Sequence, residues 1–298
     1  MLLFRNKNAE IRGQVMIAVT GANGQLGSLV ISSLLSKTDA GNIVALVREP
    51  ENALNLKTSG VHVRKADYNI PETLIPALSG VEKLLLISGN DLGHRVAQHK
   101  AVVTAAKEVG VELFAYTSLL KADHSAMAMA EEHKLTEEAI KAAGLPAVIL
   151  RNGWYTENYT RSLNSVLSTG VVYGAAGNGK VFAAAREDYA EAASVVLVSS
   201  ESQIGKVYEL AGDQGFTLEQ YAAEISRQSG RNIVYQDMSC QEYTDFLKQA
   251  GIPEEYAVFL ADAEMQAGNG WLANDSHTLS MLIGRATTPM SESVRAAL

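Results

Sequence analysis

Cysteine is nearly absent, with Cys240 standing alone in 298 residues. One thiol excludes a disulfide framework and any zinc site built on thiolates, and it fits a reducing cytosol. Positive charge is also scarce: 25 Lys and Arg face 33 Asp and Glu, for a net charge of -8. A general nucleic-acid binder needs the reverse balance, because phosphate neutralisation supplies most of its affinity, and no basic cluster compensates here. Long hydrophobic runs are missing too. Apolar runs such as Leu84–Ile87 fall far short of a bilayer, so no membrane association is expected. The histidines form no His-Glu-x-x-His pair, His94 and His99 lack a metal-binding spacing, and no Gly-x-Ser-x-Gly elbow occurs. No metal site is expected. What remains is an ordinary globular composition, 47% apolar and 19% charged, in a chain long enough for one large domain or two modest ones.

Residues 1–15 carry Arg5, Lys7 and Arg12 without an apolar core or a cleavage site. They do not read as a secretory signal and are expected to lie outside the fold. From Met16 onward, short apolar runs predict strands at Ile17–Thr20, Ile43–Val47, Val61–Lys65, Leu84–Ser88, Leu113–Thr117 and Ala147–Leu150. Between them, helices are predicted at Gln25–Ser36, Glu72–Leu78, Arg95–Val109 and Met127–Ala143, several ending at glycines such as Gly110 and Gly144. Strands that are apolar along their whole length are covered on both faces. Alternated with helices, they imply an α/β fold built on a doubly wound, mostly parallel sheet. After Arg151 the rhythm loosens. Helices at Asp188–Val198 and Leu218–Ser229, a strand at Ile233–Gln236 and one further sheet strand at Val207–Leu210 are expected. The predicted division is 16–151 for a dinucleotide-binding domain and 152–298 for a smaller mixed α/β substrate lobe. That boundary is soft, with some later segments returning to the sheet.

The first strand runs into Gly21-Ala22-Asn23-Gly24-Gln25-Leu26-Gly27 and then into a helix. Glycines there allow a tight turn, close approach of a pyrophosphate to the backbone and tight helix-on-strand packing. The helix start then offers free N–H groups and partial positive charge to the phosphates. In strand-turn-helix context this is a strong dinucleotide signature, although a purely structural turn is the alternative. The second strand ends at Arg48, where a guanidinium suits the 2′-phosphate of NADPH. In the competing reading Glu49 takes a ribose hydroxyl and Arg48 is a solvated charge. Asp67 is a candidate for the adenine edge, or else caps the helix after it. Ser88, Gly89 and Asn90 should line the middle of the cofactor, and Thr117 and Ser118 should open toward the same crevice at the carboxyl ends of the strands.

Three further stretches narrow the reading: Val44-Ala-Leu-Val-Arg48, Ala115-Tyr-Thr-Ser-Leu-Leu120 and Leu150-Arg-Asn-Gly-Trp-Tyr-Thr-Glu-Asn-Tyr159. With the glycine turn, Val81–Ser88 and Gly205–Gly212, they resemble the NmrA-like branch of atypical short-chain dehydrogenases, and within it the NADPH-dependent quinone reductases. Dye reductases of the branch are more distant. The resemblance runs from Met16 to the C-terminus. It implies NADPH as cofactor and two-electron reduction of a small-molecule quinone without a flavin; with the Rossmann sheet and the reducing cytoplasm read above, a homodimer is left open.

Ordinary short-chain dehydrogenases use Tyr-x-x-x-Lys, in which Lys lowers the Tyr pKa for proton exchange with the substrate. None of the eleven tyrosines here has Lys four positions on. His133 stands where that Lys is expected. A quinone tolerates the loss, since its reduced oxygen is stabilised by the aromatic ring and mainly needs hydride alignment and hydrogen-bond donors. Candidate donors are Asn152, Tyr155 and His133; under this resemblance Asn152, Gly153 and Trp154 flank the nicotinamide, and Tyr155 or a water-linked His133 assists the quinone oxygen. Alternatively, His133 is a helix residue bonded within the protein and Trp154 a core aromatic. Two other functions compete: a redox sensor that binds NADP(H) without turnover, and a nucleotide-sugar epimerase, which the missing Tyr-x-x-x-Lys disfavours. Gly174–Lys180 nearly spells a phosphate-binding loop but lacks the Ser or Thr after Lys180, and reads instead as a hairpin-like turn near the substrate cleft. Arg186 begins a helix and is a weaker candidate for reaching the cleft.

Overall fold

The computed structural model describes residues 15–298, so the expectation for the leader falls outside the described residues for all but Val15. Nine strands are present among the described residues: β1 (Ile17–Val19), β2 (Ile43–Val47), β3 (His62–Lys65), β4 (Lys83–Leu86), β5 (Leu113–Leu119), β6 (Ala147–Asn152), β7 (Val171–Gly174), β8 (Val207–Leu210) and β9 (Val234–Asp237). Seven form one sheet in the order β3-β2-β1-β4-β5-β6-β8, every neighbouring pair parallel. The chain winds outward from β1 to β3, then crosses back to place β4 on the other side of β1. At that reversal the loops leaving β1 and β4 diverge, which opens a crevice at the carboxyl ends of the strands.

Helices cover both faces. On one, Val30, Ile31 and Leu34 from Gln25–Leu35 and Ala190, Ala193 and Val196 from Arg186–Val198 pack over Val19, Ala45 and Leu85. On the other, Val102 and Ala106 from Arg95–Val109 and Ile140 from Ala130–Ala143 pack over Leu84, Leu86, Phe114 and Tyr116. Each such aliphatic side chain taken fully out of water contributes on the order of 2 kcal/mol, which is why the inner strands can be apolar throughout. Strand β3 departs from that pattern. As the sheet edge it leaves His62 and Lys65 exposed, and its charges discourage pairing with another chain.

A third cluster forms the core of the later half, built from Trp154, Tyr159, Leu163, Phe216, Tyr221 and Ile225. Leu119, Ala122 and Met127 from the earlier half pack into it. Helix Ala130–Ala143 starts three residues after the expected Met127, and the Ala128 N–H just before it is bonded to Asp262 at 2.8 Å. Helix formation at 72–78 is broken into a 3₁₀ turn, Pro71–Thr73, and a short helix, Leu74–Ala77. The turn 174–180 does not close a hairpin: β7 pairs with β9, and in parallel. Gly177 instead donates its N–H to Asp237 at 2.9 Å, and Gly179 packs directly on the backbone of Gly268.

Candidate active site

β1 leads at once into the helix Gln25–Leu35. Gly21 has φ +57°, and a Cβ at Gly27 would stand 2.2 Å from the Gly21 carbonyl oxygen, so only glycine lets the helix sit this close to the strand. Gly24 is the N-cap residue, and no side chain caps that end. The N–H groups of the first turn, Gln25, Leu26 and Gly27, together with the positive end of the helix dipole, therefore face whatever anion enters the crevice. The turn is pinned to the sheet through Ala22 N–H to Leu46 O at 3.3 Å. Asn23 Nδ2 adds a bond to Asn52 O at 3.2 Å.

The neighbouring loops contribute unequally. Arg48 is exposed just past β2 and forms no ion pair among the described residues, whereas the Glu49 carboxylate accepts from Asn52 Nδ2. Asp67 does not cap the helical turn that follows, whose N-cap is Ile70; its carboxylate accepts the Asn69 N–H at 2.9 Å in the loop before Pro71. After β4, the Ser88 N–H donates to Thr117 Oγ1 at 2.9 Å and the Gly89 N–H donates to His99 Nε2 at 3.0 Å. The Asn90 carbonyl accepts from Tyr256 OH at 2.9 Å. Because an N–H must be the donor at Nε2, His99 carries its proton on Nδ1 and donates it to Thr136 Oγ1 at 3.0 Å. Burial, reinforced by nearby Arg95, lowers the His99 pKa to about 3, so the ring stays neutral and keeps this role.

At the end of β6, Asn152 is 5% exposed and its Nδ2 reaches Tyr155 OH at 3.5 Å, while its Oδ1 is buried without a partner among the described residues. A Cβ on Gly153 would crowd Leu210 O at 3.0 Å and Tyr189 OH at 3.1 Å. Trp154 lies in the apolar cluster of the later half. The Tyr155 ring meets Tyr189 edge-on at 5.2 Å and carries the Arg186 guanidinium 4.6 Å above it. Burial raises the Tyr155 pKa, so its hydroxyl stays protonated and able to donate.

His133 is held elsewhere. Its Nδ1 is 2.8 Å from Tyr116 OH and its Nε2 accepts from Arg95 at 3.3 Å. Tyr116 belongs to the sheet face under Arg95–Val109, whereas Asn152, two residues after Leu150 in β6, lies on Leu150's face, the opposite one. The imidazole is 4% exposed and burial drives its pKa well down, so it sits as a bonded internal residue and not beside Asn152 and Tyr155.

Two features escaped the sequence reading. Arg151, inside an otherwise apolar strand, is bidentate to Glu137 at 3.0 and 2.7 Å and also meets Glu209 at 2.8 Å and Asp123 at 2.9 Å. It ties β6 to β8 and to the helix Ala130–Ala143. A charged residue in a buried strand was the available signal. The second is Glu157, whose carboxylate accepts the Arg186 N–H at 2.9 Å and so starts the helix Arg186–Val198. Among the described residues no group of His, Cys, Asp and Glu is placed to hold a metal, and no helix is long and apolar enough to cross a membrane.

The glycine turn, the uncapped helix start and the reversed strand order together describe a dinucleotide crevice, and residues 14–281 match the NmrA-like family. The chain belongs to that family. Among its relatives is quinone oxidoreductase 2 of Escherichia coli strain K12, 50% identical over 279 residues that cover 94% of this chain and 97% of the relative. A crystal structure described as the NADPH-dependent quinone oxidoreductase QOR2 of E. coli complexed with NADPH superimposes with a TM-score of 0.92 at 49% identity, over 94% of this chain and 99% of that one. Triphenylmethane reductase of Citrobacter sp., complexed with NADP(H), gives a TM-score of 0.89 at 38% identity, covering 95% and 100%. In this NmrA-like chain, as the sheet order shows, the fold is the α/β Rossmann type expected from the sequence.

Proposed function

We propose that this chain is an oxidoreductase that reduces quinones with NADPH, by direct transfer of two electrons as hydride and without a flavin. The observation that carries the reading is likeness along essentially the whole of both chains to a quinone oxidoreductase with NADPH bound. The residues fit that cofactor: a Cβ-free cradle at Gly21, Gly24 and Gly27, an uncapped helix start, and a buried Asn152 Oδ1 in need of a donor. When bound, NADPH supplies the hydride.

The residues of the chain bind, orient and shield. The first turn of Gln25–Leu35 receives the pyrophosphate, and the exposed Arg48 pairs with the 2′-phosphate, Glu49 being committed to Asn52. Ser88, Gly89 and Asn90, fixed from behind by Thr117 and His99, back the central part of the cofactor. Asn152 and Gly153 flank the nicotinamide, and Tyr155 donates a hydrogen bond to the quinone. His133 has a supporting role behind β5. In this division residues 16–151 hold the dinucleotide, and 152–298 chiefly shape the substrate side.

The test follows NADPH absorbance with purified protein and a panel of benzoquinones and naphthoquinones, with NADH in parallel. Quinone-dependent loss of NADPH by protein free of bound flavin is expected. Arg48→Ala should weaken NADPH binding about 10- to 100-fold, the worth of a charge-assisted phosphate contact, and leave NADH unchanged. Tight NADPH binding with no turnover on any quinone would replace the reductase reading with that of a redox sensor.

A further inference from the structure

The helices Gln25–Leu35 and Arg186–Val198 lie side by side on one face of the sheet. Ser33 Oγ and Ser194 Oγ meet at 2.6 Å, and each is eight residues into its helix, counting 25 to 33 and 186 to 194. Lys83 Nζ, at the start of β4, donates to the Leu197 carbonyl at 2.7 Å, so helix Arg186–Val198 ends where the parallel strands begin; helix Gln25–Leu35, which follows β1 directly, runs the same way, and with the two serines level the helices begin level. Arg186, the first residue of one, thus stands beside the glycine turn that begins the other, at the carboxyl end of the sheet.

Its surroundings set it apart from the two buried arginines, Arg95 and Arg151. Arg95 is committed to His133 and Glu132, and Arg151 to three carboxylates. The Arg186 guanidinium forms no ion pair and no side-chain hydrogen bond among the described residues, and rests on the face of Tyr155. The nearby carboxylate, Glu157, is already turned to the Arg186 backbone N–H, at 2.9 and 3.1 Å. Below lie Tyr155 OH and Asn152, both neutral, with one amide oxygen unpartnered. In this group Arg186 is the source of positive charge.

Hydride delivery to a quinone creates negative charge that must be met. The quinone gains one O–H bond at a carbonyl oxygen as a C–H bond of the reduced nicotinamide breaks. The electron pair moves through the ring to the opposite oxygen, which becomes a phenolate, and NADP⁺ is left. A proton from solvent then completes the hydroquinone. This chain lacks the activated tyrosine of Tyr-x-x-x-Lys that would meet that charge.

We infer that Arg186 is a catalytic residue of the quinone reduction proposed above, its guanidinium binding the developing phenolate oxygen of the substrate while Tyr155 holds it from below. Tyr155 serves as platform as well as donor, since a guanidinium lying on a ring keeps its N–H edge free to bond in its own plane. The charge is matched by the transition state and the reduced product more than by the neutral quinone, so it acts on kcat.

The inference rests on the quinone reading, and one set of assays separates the two. Arg186→Met is expected to lower kcat about 100-fold on a simple benzoquinone, as loss of a single oxyanion donor does, with the Kd for NADPH changed less than about 2-fold. The loss should steepen with quinones whose hydroquinones are weaker acids. Arg186→Lys should regain about 10-fold, and millimolar guanidinium should restore part of the activity of Arg186→Ala. Undiminished kcat in Arg186→Met, with active wild type, overturns the inference alone. So does a rise of 10-fold or more in the NADPH Kd without a fall in kcat, which would assign the guanidinium to a cofactor phosphate. An equal loss on every quinone, with no rescue by guanidinium, would reduce Arg186 to packing for Tyr155. Wild type that binds NADPH and reduces no quinone overturns the quinone reading and this inference with it.

Discussion

Glu264 is 8% exposed, deep among the aromatic side chains of the later half, and its Oε2 has no partner among the described residues. Burial pushes its carboxyl pKa up to about 7. Between pH 4.5 and about 7 the folded protein keeps a proton that the unfolded chain has released, so this group costs stability as pH rises through that window. The full cost is on the order of 3 kcal/mol, from about 1.4 kcal/mol per pH unit. Glu264→Gln has nothing to titrate. Its stability relative to wild type, from urea unfolding, should improve by a few kcal/mol between pH 4.5 and 8, and a difference independent of pH would refute the account. His99 shows the opposite sign. Its pKa of about 3 means that below pH 6.5 the unfolded chain binds a proton that the fold excludes, so stability falls as pH drops toward 3.

The loop after β4 is the element on which His99 acts, and it is short enough to be governed by two bonds, Ser88 N–H to Thr117 and Gly89 N–H to His99. His99→Ala removes one and leaves a buried N–H unpaired, at a cost of about 1–3 kcal/mol. Amide exchange at Gly89 and Asn90 should accelerate, and the KM for NADPH should rise several-fold with kcat little changed. Unaltered exchange at those amides would show that Thr117 alone holds the loop. Nothing local in Gly89 or His99 announces this pairing, since it joins a loop to the far side of a helix turn. By contrast, the glycine turn from Gly21 to Gly27 and the stretch from Asn152 to Tyr155 were legible, because each lies within a few consecutive residues at the end of an apolar strand. The same limit explains His133. Its place on a helix could be anticipated, but its partners Tyr116 and Arg95 come from a strand and another helix. Strand β8 could be foreseen as an apolar run, whereas the parallel pairing of β7 with β9 depends on how the later half packs.

Across the whole molecule the net charge of -8 repels an anionic dinucleotide, so binding depends on local features: one helix start and Arg48. It depends as well on how firmly the two halves meet around the crevice. Helix Glu254–Gly268 belongs to the later half but touches the earlier one repeatedly. Tyr256 OH donates to the Asn90 carbonyl at 2.9 Å, and Asp262 accepts from Ala128 N–H at 2.8 Å. From the other side, Lys121, in a left-handed conformation at φ 57°, donates to the Ala273 carbonyl at 2.7 Å. The Tyr256 bond is special in that its acceptor belongs to the loop assigned to the cofactor. Although 41% exposed, Tyr256 ties that loop directly to the later half. Tyr256→Phe deletes the bond and almost nothing else. A net worth of 0.5–1.5 kcal/mol corresponds to about a 2- to 10-fold faster release of NADPH, read by stopped-flow displacement. If departure of oxidised cofactor limits turnover, kcat rises by a similar factor; if hydride transfer limits it, kcat stays put while release quickens. An unchanged release rate would mean that the loop and the later half move independently, and that the cofactor is held by the first half alone.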